Sequence, residues 1–509
     1  MKLKYIKIIT ALFLVGVMGC QDLLEDPKSE LTPDNFLQNE IEMEGAVASM
    51  YRSLARSERG WGFTFRLTNF FGADDITTHF TSNKEKFRDF DKFAGTAAND
   101  WAHRNWWGPW DATYNANNIL DNIDNIDASQ EYKDEAAGQA YFIRGISFYY
   151  MVRIYGKIPL VTTAVISSEL PERAPIADVY AQIVEDLKRA EELLPASFPE
   201  PGKATKWSAK SFLSDVYLTM AGWPLNETSN YALSAAAAKE VIDEGPYSLV
   251  DNYAEVFQTN GNSESVFGLF YNVAGGLPAR SFGASGVPED EPGGWHDYHA
   301  ELNFFRNAPV CQRTDDTFLT TFKTRDADGV WGTLDWTLSA TGHPFYKKFR
   351  AGLVDPSTGL GDGVAEDDTE IFSVQASTNK SLDVMRYAQV LLNYTEASAM
   401  AGSVTALTYD AINDVRDRAG LPDLTPGLTG TTLQDSVVFE RAYECAAEFG
   451  VRWFDICRLQ LLPEVLAARD AAEIPVSPAV LADPSPFYLS PIPINEMSIN
   501  QHWEQNPGY

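Results

Sequence analysis

The sequence predicts a mostly α-helical chain of stacked helical hairpins, folded as a single domain and interrupted by one long loop-rich insert. Three observations carry that expectation. Apolar residues recur at helical spacing in successive segments on both sides of residues 246–380. Inside 246–380 that period vanishes and Gly and Pro become dense, and long irregular segments within a folded body are usually functional. Near the C-terminus, VVFERAYECAAEFGVRWFDICR (437–458) interleaves charged and large apolar side chains as buried packing helices do.

The elements follow in order. MKLKYIKIITALFLVGVMGC opens with Lys2, Lys4 and Lys7 and a short apolar run over 8–19; that run is too short to cross a bilayer as a helix, so 1–19 is expected to be an export signal. Residues to about 36 are rich in Asn, Pro and acids and are expected to form an extended tether, 20–36, ahead of a helical domain, 37–509. Helices are expected over 40–55, 110–127, 137–155, 179–194, 205–221, 231–244, 384–401 and 411–419. Gly156 supplies a C-cap for the third, and Pro159 prevents its continuation. In 437–458, Glu440, Glu444 and Glu448 recur at four-residue steps and lead to Arg452. Such spacing puts them on one helix face. Carboxylates among Tyr443, Phe449, Trp453 and Phe454 need cationic partners, such as Arg441, Arg452, Arg458 or arginines of other helices, because a buried unpaired charge is very costly. This set is expected to be structural rather than catalytic, and Gly450 is expected to break the helix before RWFDICR.

Several segments resemble the SusD/RagB family of surface lipoproteins, which capture nutrients for TonB-dependent outer-membrane transporters. They are FERAYECAAEFGVRWFDICR, WDATYNANNILDNI, YGKIPLV, TKWSAKSFLSDVYL, RYAQVLLNYTEA and the terminal YLSPIPINEMSINQHWEQNPGY. The resemblance implies stacked tetratricopeptide-like helix pairs, although no clean 34-residue repeat is visible. Arg144, on the helix before YGKIPLV, is expected to pair structurally with acids across the helix packing. Val17-Met18-Gly19-Cys20 resembles a lipobox, which implies acylation of Cys20, and the acidic run after it resembles a surface-export signal. The implied setting is a protein lipid-anchored in the outer membrane and exposed at the cell surface, acting as a lid over a SusC-like transporter.

Composition fits that setting. Without residues 1–19 the balance is 37 Lys+Arg, the total of 40 less three signal lysines, against 71 Asp+Glu, a net −34. Such a charge excludes nucleic acid as a partner and disfavours a polyanionic ligand. With Cys20 acylated, Cys311, Cys445 and Cys457 remain, an odd number that makes no disulfide framework.

The expected ligand is an oligosaccharide; a peptide, as taken by the RagB branch, is the alternative, and a glycoside hydrolase is the second. Sugars bind flat aromatic faces with polar groups nearby. The candidates are Trp295, Tyr298, Trp331 and Trp336 in the insert, with His79 and Phe80 from an early loop that also holds Asp74 and Asp75. About half of the insert's rings are expected only to anchor loops. No cofactor, metal or catalytic residue is expected. His296 and His299, with Asp297 and Glu301, are a lone loop pair of histidines. Asp326-Ala327-Asp328-Gly329 and 362–368 lack EF-hand spacing and are expected to be solvated turns.

Overall fold

The computed structural model describes residue 37 and residues 39–509, apart from 81–82, 165–169, 200, 273, 278, 280–283, 292–293, 351–353, 356–359 and 362–378. The signal, Cys20, the tether and the acidic turn at 362–368 lie outside the described residues, as do Pro278, Gly283 and Pro292-Gly293 of the insert.

Helix α1 (Glu40–Ala55) is capped by Asn39, whose side chain accepts from the Glu42 amide, and buries Met43, Val47, Met50 and Leu54 along one stripe. A short α2 (Glu85–Asp91) precedes α3 (Arg104–Asn122) and α4 (Gln130–Tyr155). Both long helices begin earlier than their apolar period suggests. For α4 the reason is local: Ser129 caps a polar first turn that carries no apolar stripe. Gly156, at φ 69°, ends α4 as expected. Then come α5 (Ile176–Leu193), α6 (Lys206–Met220) and α7 (Asn230–Glu244). The insert contributes α8 (Leu302–Arg306), α9 (Gln312–Thr317) and small antiparallel strand pairs. The helical body resumes with α10 (Tyr387–Met400), α11 (Ala406–Ala419), α12 (Gly430–Glu444) and α13 (Val451–Leu459).

Successive helices pack as neighbours: α1 on α3, α3 on α4, α4 on α5, α5 on α6 and α6 on α7. Helix α7 then packs directly on α10, which also holds α11 and α12. The body is therefore a continuous stack of helix pairs, mostly α in a single domain, and the insert is an excursion from it. Strand Leu382–Arg386 pairs with Ser265–Leu269 at the base of that excursion. Residues 384–386, expected in a helix, belong to this strand instead; the buried apolar side chains of Val384 and Met385 suit either element, and pairing with Ser265–Leu269 decides.

The charged stripe binds the insert to the body. Glu440 pairs with Arg313 at 2.6 Å and Arg416 at 2.7 Å. Glu444 pairs with Arg313, Arg386 and Arg418 at 3.0, 3.0 and 2.6 Å. Glu448 meets Arg386 at 2.7 Å and Lys348 at 2.6 Å. The partners come from the insert and other helices. Arg441 and Arg458 serve Glu396 and Asp455 instead, and Arg452 takes Asp74 at 2.6 Å. Helix α12 ends at Glu444, so Glu448 stands on an irregular turn rather than on the helix face with Glu440. Burial raises the Glu444 carboxyl, but Arg418, Arg386 and Arg313 outweigh it and hold the group at about 2. Arg144 grips Asp186 bidentately at 2.7 and 2.8 Å, the structural pairing expected of it. Cys311, Cys445 and Cys457 are free thiols.

Candidate ligand-binding face

The turn after α12 positions the early loop. Asp75 accepts from the Ala447 amide at 2.7 Å, and Asp74 takes the Arg452 guanidinium through two oxygens. From there Ile76–Thr77 pairs with His299–Ala300 of the insert, and Thr78 donates to the Asp297 carbonyl at 2.8 Å. Lys84 pairs with the Asp297 carboxylate. Early loop and insert are thus sewn together along one edge.

A strip of rings runs across that junction. Trp295, 44% exposed, lies 6.2 Å from Phe63; Phe63 lies 4.3 Å from Phe65; Phe65 stacks on Trp101 at 4.4 Å with planes 21° apart. Buried Phe87 of α2 supports Trp101 from below at 4.7 Å. The Arg104 guanidinium sits over Phe65 at 5.5 Å and over Trp107 at 5.4 Å, and its Nε has no partner within the protein. Arg59 lies over the same Trp107 at 5.1 Å, and Lys86 over Trp101 at 5.3 Å. Apolar faces beside nitrogen donors suit a ligand carrying both C–H surfaces and hydroxyls. A separate groove of about 700 Å³ is lined by Val47, Tyr51, Phe198, Phe270 and Leu277. Two of its charged lining residues, Lys203 and Glu44, pair with each other, and Arg52 lines it as well.

Two family models match the chain. One, described as starch-binding and associating with the outer membrane, matches residues 29–218; the SusD family model matches 359–509. The chain belongs to the SusD/RagB family. SusD-like protein P2 of Formosa agariphila is 28% identical over 538 aligned positions, covering the whole of both chains. A solved SusD homolog from Bacteroides thetaiotaomicron superposes with a TM-score of 0.80 at 21% identity, covering 95% of this chain and 100% of that one. A laminarin-binding SusD-like protein gives 0.73 at 22% identity, covering 93% and 100%. Among the described residues no helix is long and apolar enough to cross a membrane.

On this SusD scaffold the expected site residues separate. Phe80, 57% exposed, stacks on His79 at 5.1 Å with planes 6° apart, and the His79 ring meets His296, next to Trp295, at 4.8 Å. These three expected residues gather at one end of the strip. Tyr298 does not join them: it is 2% exposed and lies under the insert against Tyr346 and Phe349. It anchors the loop: the left-handed His296 breaks any regular alternation with Trp295, and packing on Tyr346 and Phe349 fixes Tyr298 inward. Trp331, 41% exposed, pairs with Arg325 in the hairpin of Thr321–Arg325 and Trp331–Asp335. Trp336 packs edge-on to Phe305 at 5.5 Å. That hairpin is tied to the turn before Trp295 by the Lys323 amide, which donates to Glu291 at 2.9 Å.

Phe63, Phe65, Trp101, Arg104 and Trp107 were not legible as site residues. One signal existed: in WAHRNWWGPW the helical period accounts for Trp106, buried in the core, but leaves Trp101 and Trp107 half-exposed.

The acids near the insert's histidines have structural duties. Glu301 caps α8, accepting from the Phe304 amide at 2.9 Å, and burial pushes its carboxyl up to about 7. Asp297 is held by Lys84. His296 is kept neutral, chiefly by burial and then by His79 and His343, with its pKa lowered to about 3. At Asp326 a turn closes on its own amides, from Asp328 at 3.0 Å and Val330 at 2.8 Å, a solvated turn as expected.

Proposed function

We propose that this chain is a non-catalytic, surface-exposed lipoprotein that binds an oligosaccharide on the faces of Trp295, Phe65 and Trp101, which the buried Phe63 connects into one strip, and delivers it to a SusC-like TonB-dependent transporter. The observation that carries the binding reading is that strip, built from two distant segments and edged by a buried guanidinium nitrogen without a partner. Membership of the SusD/RagB family supports the transporter partnership, and the lipobox-like run at Cys20 supports a lipid anchor. The raised carboxyl of Glu301 is explained by burial, with the Glu473 charge adding to it against the lowering effect of the Phe304 amide, and its helix-capping duty favours binding over hydrolysis.

Isothermal titration against a panel of neutral oligosaccharides, laminarin oligosaccharides first and peptides as a parallel arm, tests the reading. Exposed stacking contacts give micromolar to millimolar constants, about 4–8 kcal/mol. Trp101→Ala and Trp295→Ala should each remove about 1–3 kcal/mol, because aromatic hot spots dominate small interfaces. Wild-type affinity in both variants moves the site elsewhere. Binding by peptides alone establishes the alternative ligand class, and release of reducing sugar during the titrations establishes an enzyme.

A further inference from the structure

We propose that His79, Glu289 and His296 form a binding site for a zinc-class transition-metal ion, which staples the early loop to the insert beside the ligand-binding face. One ligand atom from each residue lies within 4.8 Å of the others. The Nε2 of His79 is 3.5 Å from a Glu289 oxygen. An ion between such groups draws them inward to bonds of about 2.0–2.2 Å.

The second observation concerns His296. It is 2% exposed, and its Nδ1 is buried without a hydrogen-bond partner. Its other nitrogen, Nε2, stands 3.1 Å from His299 Nδ1. When Nε2–H donates to His299, the Nδ1 lone pair is left free in a buried setting. That is the arrangement of a metal-ligating imidazole, whose second nitrogen donates to an outer partner. His299 is then the outer partner, and His343, 4.5 Å from His299 and bonded to Glu473 at 3.0 Å, extends the chain of rings.

The backbone is built to hold this geometry. His296 lies at φ 56°, a left-handed conformation that a non-glycine residue adopts only when its surroundings impose it. Its amide donates to the Val287 carbonyl at 3.0 Å, and Gly294 donates to Glu291 at 3.1 Å. A Cβ on Gly294 would run into the Pro288 carbonyl, so only glycine closes this turn and brings Glu289 back over His296. Two imidazoles and one carboxylate select zinc, nickel or copper over calcium or magnesium, and leave a fourth position for water.

Zinc titrated into tag-free wild-type protein, followed by calorimetry and elemental analysis after dialysis, tests this. The expected result is about one ion per chain and a higher melting temperature with zinc, with calcium giving neither. Glu289→Gln changes a half-exposed group and leaves the fold intact; it and His79→Ala should each weaken zinc binding roughly tenfold or more. His502→Ala, at an exposed histidine remote in sequence, should leave it unchanged. Failure of wild-type protein to retain zinc overturns the proposal, as does zinc affinity unaltered by both Glu289→Gln and His79→Ala.

Discussion

Asp75 shows how one buried group couples the site to pH. Its side chain accepts from the Ala447 amide, and the Tyr346 hydroxyl donates to its carbonyl. Burial first, then the neighbouring Asp74 charge, raise its carboxyl to about 7, against partial relief from Ala447 and Arg452. The folded value lies above the ordinary one near 4, so this group's stabilisation is complete below about pH 4 and lost as pH rises through 7. Asp75→Asn should therefore gain on wild type between those limits, by on the order of 2–4 kcal/mol. Urea unfolding at both ends of the range checks it, and a constant difference between the two proteins contradicts it. Glu448 matters through its cationic partners instead. Glu448→Ala leaves Lys348 and Arg386 short of a carboxylate in the interior and should cost on the order of 3 kcal/mol. Titration of the folded variant should show ligand affinity little changed; stability unchanged with binding lost assigns Glu448 to the site.

At the scale of elements, α12, the turn after it and α13 do two jobs. The first helix gathers insert cations through Glu440 and Glu444, while the turn holds Asp75 of the early loop through the Ala447 amide and α13 holds Asp74 through Arg452. The turn contains three left-handed residues, Ala447, Phe449 and Gly450, at φ 57°, 36° and 76°. A Cβ at Gly450 would approach the Phe70 ring to 2.8 Å. Gly450→Ala should lower stability by roughly 1–2 kcal/mol from the left-handed backbone alone. Thermal melts, with titration of the folded fraction, read both stability and the knock-on at the early loop. The period of 437–458 announced buried helices and their charge pairing. It did not announce where α12 stops, because a tight turn at 445–450 keeps apolar residues at near-helical spacing.

For the whole molecule, the buried ion pairs set behaviour in acid. Burial raises the Glu444 and Glu396 carboxyls, but their arginine partners hold both at about 2. Those folded values lie below the ordinary value near 4.3, so the stabilisation is present above about pH 4.3 and lost as pH falls through 2. Calorimetry across that window should show a steep fall in melting temperature, and Glu396→Gln should flatten it; equal slopes contradict the assignment. The molecule's anchorage has its own test. Acyl chains contribute about 0.8 kcal/mol per buried CH₂, and two or more give stable attachment. Cys20→Ala should therefore release the protein from the outer membrane on fractionation, and continued retention removes Cys20 as the anchor.

The sequence by itself determined the helical body, the interruption at 246–380 and the need of the acidic stripe for arginines, since periodicity and the cost of buried charge are local or pairwise rules. Tertiary structure decided which rings face outward and which histidines meet. Tyr298 and Trp295 stand three residues apart, yet one is buried and the other exposed. His79 reaches His296 across more than two hundred residues because Ile76–Thr77 pairs with His299–Ala300. Trp101 and Phe65 likewise become one surface only when α2 brings Phe87 beneath them. Side-chain direction in irregular segments is set by long-range packing, and no spacing rule along the chain encodes it.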